Sequence, residues 1–227
     1  MLLFKVGKRE NLQKFCDGII YFNPLIVFRQ DGTLFRGDKY EGKILIDAEK
    51  GIHIDGNDMS PYVEEATISY EGSDNVLIFC ASILNEETTH PIKDGIAIND
   101  DFISEMRKFG KYAIIFKAED LSNHIRESLL EMKCDTAWGP VAYCDKKDYS
   151  QSKMLYKEKE ELYGDAAIFF LKRSDQKIQN EWRFVIDNIN PLSQLVRNMN
   201  GSLCLPIKPI PVTAPIDLDD PLNCVSP

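Results

Sequence analysis

The sequence predicts an α+β fold: mainly antiparallel, twisted sheets with helices packed at their sides, in a single domain. Three observations support it. Many short runs rich in Ile, Val, Tyr and Phe are separated by tight turn signals, as in Glu71-Gly72-Ser73-Asp74-Asn75. Helix-period stripes are grouped rather than alternating regularly with the strands, which disfavours a parallel α/β sheet. The length of 227 residues suits one domain with a large enough core to need no disulfide or metal.

Arg9 to Asp17 reads as a short helix stopped by Gly18. Ile19 to Asn23 is a β-branched and aromatic strand ended by Pro24, and Leu25 to Arg29 is a further short apolar unit. Strands follow at Lys43 to Asp47, Ile52 to Asp55, Thr67 to Tyr70 and Val76 to Ile83. Asp100 or Asp101 can cap a helix whose stripe is Phe102, Ile103, Met106 and Phe109, with Gly110 as its stop. After a strand from Lys111 to Lys117, Glu119 to Lys133 carries Leu121, Ile125, Leu129 and Met132 on one helical face.

Trp138 to Tyr143 is another strand, and Lys153 to Tyr163 a charged helix or lid-like segment. Ala166 to Leu171 and Ile178 to Ile186 are expected to pair across the turn Lys172 to Lys177. Ser193 to Met199 is a helix ended by Asn200-Gly201. The domain is placed at 1–205, with 206–227 as a Pro-rich extended tail, either docked or partly disordered.

Acidic residues outnumber basic ones by 36 to 27, for a net charge of −9. That disfavours a DNA-coating protein, which needs clustered Lys and Arg, but leaves room for a local basic cleft. No apolar run approaches a membrane span of roughly 20 residues, and no signal-peptide pattern stands at the N-terminus. The six cysteines lack Cys-x-x-Cys spacing and the three histidines are scattered, so reduced thiols, a cytoplasmic location and no metal are expected. Walker-type, dinucleotide-fingerprint and nucleophile-elbow motifs do not occur.

Three segments carry candidate chemistry. Read as a strand, 178–186 sends Ile178, Trp182, Phe184 and Ile186 to a core and lines up Gln179, Glu181 and Arg183 on the other face. That row can hold a polar ligand, or it can be a solvated Arg–Glu ladder. Phe35-Arg36-Gly37-Asp38-Lys39-Tyr40-Glu41-Gly42 suits a loop with close backbone approach, and Arg29 with Arg36 can bind an anion. Phe79-Cys80-Ala81-Ser82 ends an apolar strand, where Ser82 can fix a catalytic acid or be a packed small residue.

Two resemblances rest on these residues. The pattern Gly18-Ile19-Ile20-Tyr21-Phe22-Asn23, Phe28-Arg29, Arg36-Gly37-Asp38-x-x-Glu41-Gly42 and Gln179-x-Glu181-Trp182-Arg183 resembles a widespread family of uncharacterised bacterial proteins. Phe35-Arg36-Gly37, Cys80-Ala81-Ser82 and Gln179-Asn180-Glu181, in that order, are similar to the motifs of arginine-type ADP-ribosyltransferases, although Cys-Ala-Ser stands where Ser-Thr-Ser is usual. The second resemblance implies NAD as substrate. Arg36 would contact its phosphates or ribose, Ser82 would orient Glu181, Glu181 would stabilise the oxocarbenium-like ribose, and Gln179 would face a protein or nucleic-acid acceptor. Gly37, Arg29, Tyr21 and Arg183 complete the expected NAD-binding set.

The functional expectation is therefore an ADP-ribosyltransferase-like or NAD-glycohydrolase-like bacterial toxin or defence effector. The alternatives are a non-catalytic module binding an anionic small molecule or a partner, and a hydrolase or nuclease using carboxylates such as Asp38, Glu41 and Glu181.

Overall fold

The computed structural model describes residues 1–33, 37–46, 52–59, 61, 63, 66–93, 95–132, 134–145, 149–187 and 201–220. Its strands are β1 (Leu2–Gly7), β2 (Ile19–Pro24), β3 (Lys43–Ile46), β4 (His53–Ile54), β5 (Asn57–Asp58), β6 (Ala66–Ser69), β7 (Leu77–Leu84) and β8 (Thr89–Ile92). They continue with β9 (Gly95–Ile98), β10 (Tyr112–Lys117), β11 (Asp135–Pro140), β12 (Ala142–Cys144), β13 (Leu171–Arg173), β14 (Glu181–Asp187), β15 (Leu203–Pro206) and β16 (Ile216–Asp217). The α-helices are α1 (Arg9–Cys16), α2 (Leu25–Gln30), α3 (Asp100–Met106), α4 (Ala118–Leu129) and α5 (Tyr149–Tyr163).

Eight strands form the main sheet, and it forks. From one edge the order is β11-β14-β7; beyond β7 one branch is β1-β10-β16 and the other is β2-β15. All its strand pairings are antiparallel, as expected for this α+β fold. The small hairpins β4-β5 and β8-β9, the antiparallel pair β3-β6 and the parallel pair β12-β13 stand outside it.

On one face, alternate residues such as Leu3, Phe22, Phe79, Trp182 and Phe184 join α1 and α4 in the largest apolar cluster. The stripe Leu121, Ile125 and Leu129 seats α4 in that cluster. The other face is not uniformly apolar. Phe4, Phe102 and Met106 cluster toward one end, and Leu25, Ile78, Phe169 and Val185 toward the other. Cys80, Ser82, Glu181 and Arg183 lie between these clusters on the sheet register.

The short apolar unit at Leu25 to Arg29 is helix α2. Several other local expectations are corrected. Asn99, not Asp100 or Asp101, holds the N-cap position of α3; its side chain instead bonds His90 and the Glu87 carbonyl. Residues 166–170 lie within a 3-10 segment, Gly164–Phe170, and do not pair with β14. β14 lies between β7 and β11 instead, while β13 joins β12 in parallel. The described part of the Pro-rich tail is docked, one of the two expected states: Ile207, Ile210 and Leu218 are buried, and β15, which leads into it, pairs with β2. The expected helix at 193–199 lies outside the described residues. Among the described residues, no helix is long and apolar enough to cross a membrane.

Candidate functional site

The site begins where β14 begins. Asn180 takes a left-handed conformation, φ 43°, a region in which Asn is enriched. It closes a 3-10 turn, Ser174–Gln179, so the strand starts at Glu181. Ile178, expected in the core, is therefore 44% exposed. From Glu181 onward the alternation holds, with Trp182 and Phe184 on the helical face and Glu181 and Arg183 on the other.

Four charged side chains meet behind Cys80. The Arg183 guanidinium donates to Glu181 Oε1 at 2.5 Å, to Glu41 Oε1 at 2.7 Å and to the Phe169 carbonyl at 2.5 Å. Lys172 Nζ donates to Glu181 Oε2, and to Gln179 Oε1 at 2.9 Å. The Glu181 peptide N–H donates to the Tyr143 hydroxyl at 2.7 Å. Glu41, Lys172, Gln179, Glu181 and Arg183 are all buried. Buried charge is costly unless it is paired and hydrogen-bonded, and each of the four charges has such a partner.

The electrostatics follow. Burial alone would raise the Glu181 pKa, but the charges and hydrogen bonds of Arg183 and Lys172 outweigh it and hold the carboxyl well below the usual range. Burial disfavours the charged guanidinium of Arg183, yet Glu181 and Glu41 raise its pKa further. Burial, followed by the Glu181 charge, pushes the Cys80 thiol up to about 12, so it is a poor nucleophile. The same two causes raise Tyr143, which stays a neutral phenol.

The expected site residues are brought together only in part. Gln179, Glu181 and Arg183 share the buried network. Ser82 lies opposite Glu181 in the strand register, but its hydroxyl bonds Met106 Sδ at 3.3 Å, while Lys172 and Arg183 hold the Glu181 carboxylate. Arg36 lies outside the described residues. Gly37 packs so tightly that a Cβ there would stand 1.7 Å from the Asp31 carbonyl oxygen.

Arg29 has a structural task. It donates to the carbonyls of Glu41 (2.8 Å) and Gly42 (3.4 Å), to Ser73 (3.1 Å) and to Asp74, and so pins the loop that delivers Glu41. Its guanidinium is engaged there, and it does not line the cleft at the sheet fork. Asp38 is buried in the same loop and accepts from the Tyr40 N–H at 2.9 Å. Lys172, Tyr143 and Lys5 were not signalled by any motif. Lys172 fell in a segment that reads as a turn, and the alternation of a three-residue strand is too short to reveal its facing.

A cleft of about 740 Å³ opens where the sheet forks, within the size range of small-molecule sites. Five cationic side chains line it: Lys5, Lys8, Lys14, Lys172 and Arg183. Glu181 is the one carboxylate among the lining residues. Lys8, Lys14 and Tyr21 are exposed, Lys5 is half-buried, and Lys172, Arg183 and Glu181 are buried. The aromatic rings of Tyr21 and Phe28 also line the cleft. Among the described residues, no three His, Cys, Asp or Glu side chains gather where they could hold a metal ion. No protein-family model matches the chain, and neither a curated protein nor a solved structure matches it.

Proposed function

We propose that the fork cleft binds a phosphate-bearing small molecule of the nucleotide class, with NAD as the leading candidate. The observation that carries this reading is charge segregation. In a chain of net charge −9, Lys172 and Arg183 offset the buried carboxylates of Glu181 and Glu41, and Lys5, Lys8 and Lys14 leave the cleft lining with an excess of positive charge. Such a cleft concentrates positive potential and draws an anionic ligand. Lys8 and Lys14 suit phosphate contacts, and the exposed ring of Tyr21 offers a stacking face for a base.

A catalytic reading attaches to the same site. In NAD cleavage the ribose–nicotinamide C–N bond breaks and its electron pair leaves with nicotinamide. Water or an acceptor hydroxyl or amine then adds to the ribose carbon and loses a proton. Glu181 is ionised, lines the cleft and is rigidly held, as a group facing a developing cation must be. Lys172 and Arg183 offset its negative charge, which favours binding without cleavage as the first reading. A role as a toxin or defence effector belongs to the catalytic reading alone.

Incubation with NAD, reading both melting temperature and free nicotinamide, separates the two. A raised melting temperature without nicotinamide supports the binding module. Nicotinamide release that is lost in Glu181→Gln supports the enzyme. No thermal shift and no release with NAD removes NAD as the ligand.

A further inference from the structure

On the side that faces the fork, three backbone positions have no strand paired to them among the described residues. In an antiparallel strand the N–H and C=O of one residue point to the same side, and successive residues alternate. The Ile83 N–H donates to the Asn180 carbonyl at 2.7 Å, so the odd-numbered residues of β7 bond toward β14. The even-numbered ones face the two branches. Ser82 is opposite Phe4 of β1, and Ile78 is opposite Asn23 of β2. Continuing each register by two residues sets both Val6 of β1 and Tyr21 of β2 against the same residue, Cys80. Two strands cannot occupy one edge, so they splay, and neither pairs with Cys80 on that side. Val6, Tyr21 and Cys80 all line the cleft.

The Cys80 carbonyl is taken by Lys5, whose Nζ donates to it at 2.5 Å and stands 4.6 Å from the Phe79 ring centroid. The Cys80 N–H points into the same gap. The ladders at Ser82 and Ile78 fix its direction, and the Lys5 ammonium stands beside it. We propose that the Cys80 peptide N–H and the Lys5 ammonium form an oxyanion subsite that takes a phosphate oxygen of the ligand. This rests on reading the cleft as a nucleotide site. The subsite uses the backbone of Cys80, so its inert thiol has no part in it. A donor held by flanking ladders needs no reorganisation on binding, and the ammonium neutralises the carbonyl that would otherwise repel an anion.

The test is an amide-resolved NMR titration of the ¹⁵N-labelled full chain with ADP-ribose, using adenosine as the phosphate-free control. ADP-ribose should move the Cys80 amide proton downfield and slow its exchange with solvent, while adenosine leaves it in place. Lys5→Met should weaken ADP-ribose binding at least about tenfold, the loss expected for one charge-assisted hydrogen bond. If ADP-ribose shifts other cleft amides but not that of Cys80, the subsite is wrong and the cleft reading stands. An equal shift with adenosine also overturns the subsite. No response anywhere to ADP-ribose overturns both. The wild-type titration decides the matter even if Lys5→Met fails to fold.

Discussion

Replacing Arg183 with Met removes a guanidinium shared by three buried groups: Glu181, Glu41 and the Phe169 carbonyl. Met roughly keeps the length of the stem but has no charge. Glu181 retains Lys172, whereas the carboxylate of Glu41, 1% exposed, loses its ion pair. Removing one partner of a buried pair costs about 3–5 kcal/mol. That is a large fraction of a domain stability of about 5–15 kcal/mol. At about 2–4 °C per kcal/mol for a chain of this size, the melting temperature should fall by roughly 6–20 °C. The assay is urea unfolding, followed by circular dichroism, of wild type, Arg183→Met, Glu41→Gln and the double variant. In the Glu41→Gln background the Arg183→Met cost should shrink by at least about 1 kcal/mol, because no buried carboxylate is then stranded there. Equal costs in both backgrounds, or a single-variant cost under about 1 kcal/mol, would refute the shared network.

Glu181 supplies a pH signature. Its folded-state pKa is depressed, so its stabilising contribution is full above the unfolded value of about 4.3 and is lost as pH falls through the lower folded value. Melting temperatures from pH 7 to pH 2 should show a gap between wild type and Glu181→Gln that narrows only below about pH 4; a gap that does not change with pH counts against the pairing. Gly37→Ala forces a Cβ against the Asp31 carbonyl oxygen and should cost about 1–3 kcal/mol by urea unfolding, with no measurable loss contradicting the tight loop. At Asn180, φ 43°, a Val substitution should be about 1–2 kcal/mol worse than Gly, because a β-branched residue resists the left-handed region that ends the 3-10 turn. Equal stability of the two variants would show that this conformation is not required.

Legibility differed between fold and site for physical reasons. Period-2 alternation in Trp182, Arg183 and Phe184 marks faces wherever the strand is regular, so β14 and its charged side could be read directly. Its start could not, because Asn180 breaks the strand by a backbone choice that Asn permits but does not compel. The main sheet is made of local strand signals, yet its fork depends on registers between residues far apart, such as Phe4 with Ser82 and Asn23 with Ile78. The Glu41–Arg183 pair spans 142 positions and leaves no trace in local spacing. Arg29 looked like an anion-binding residue, because exposed and engaged arginines have the same letter; only its four acceptors reveal the structural task.

Calorimetric titration of ADP-ribose into wild type and into a Lys8→Gln/Lys14→Gln double variant, at low and at high salt, tests the anionic-ligand cleft most directly. Both lysines are exposed, so the double variant should keep its fold. Wild type should bind, bind more weakly as salt rises, and lose affinity by about tenfold or more in the double variant. Absence of binding to wild type at millimolar ADP-ribose, or binding indifferent to both salt and the two lysines, would contradict it.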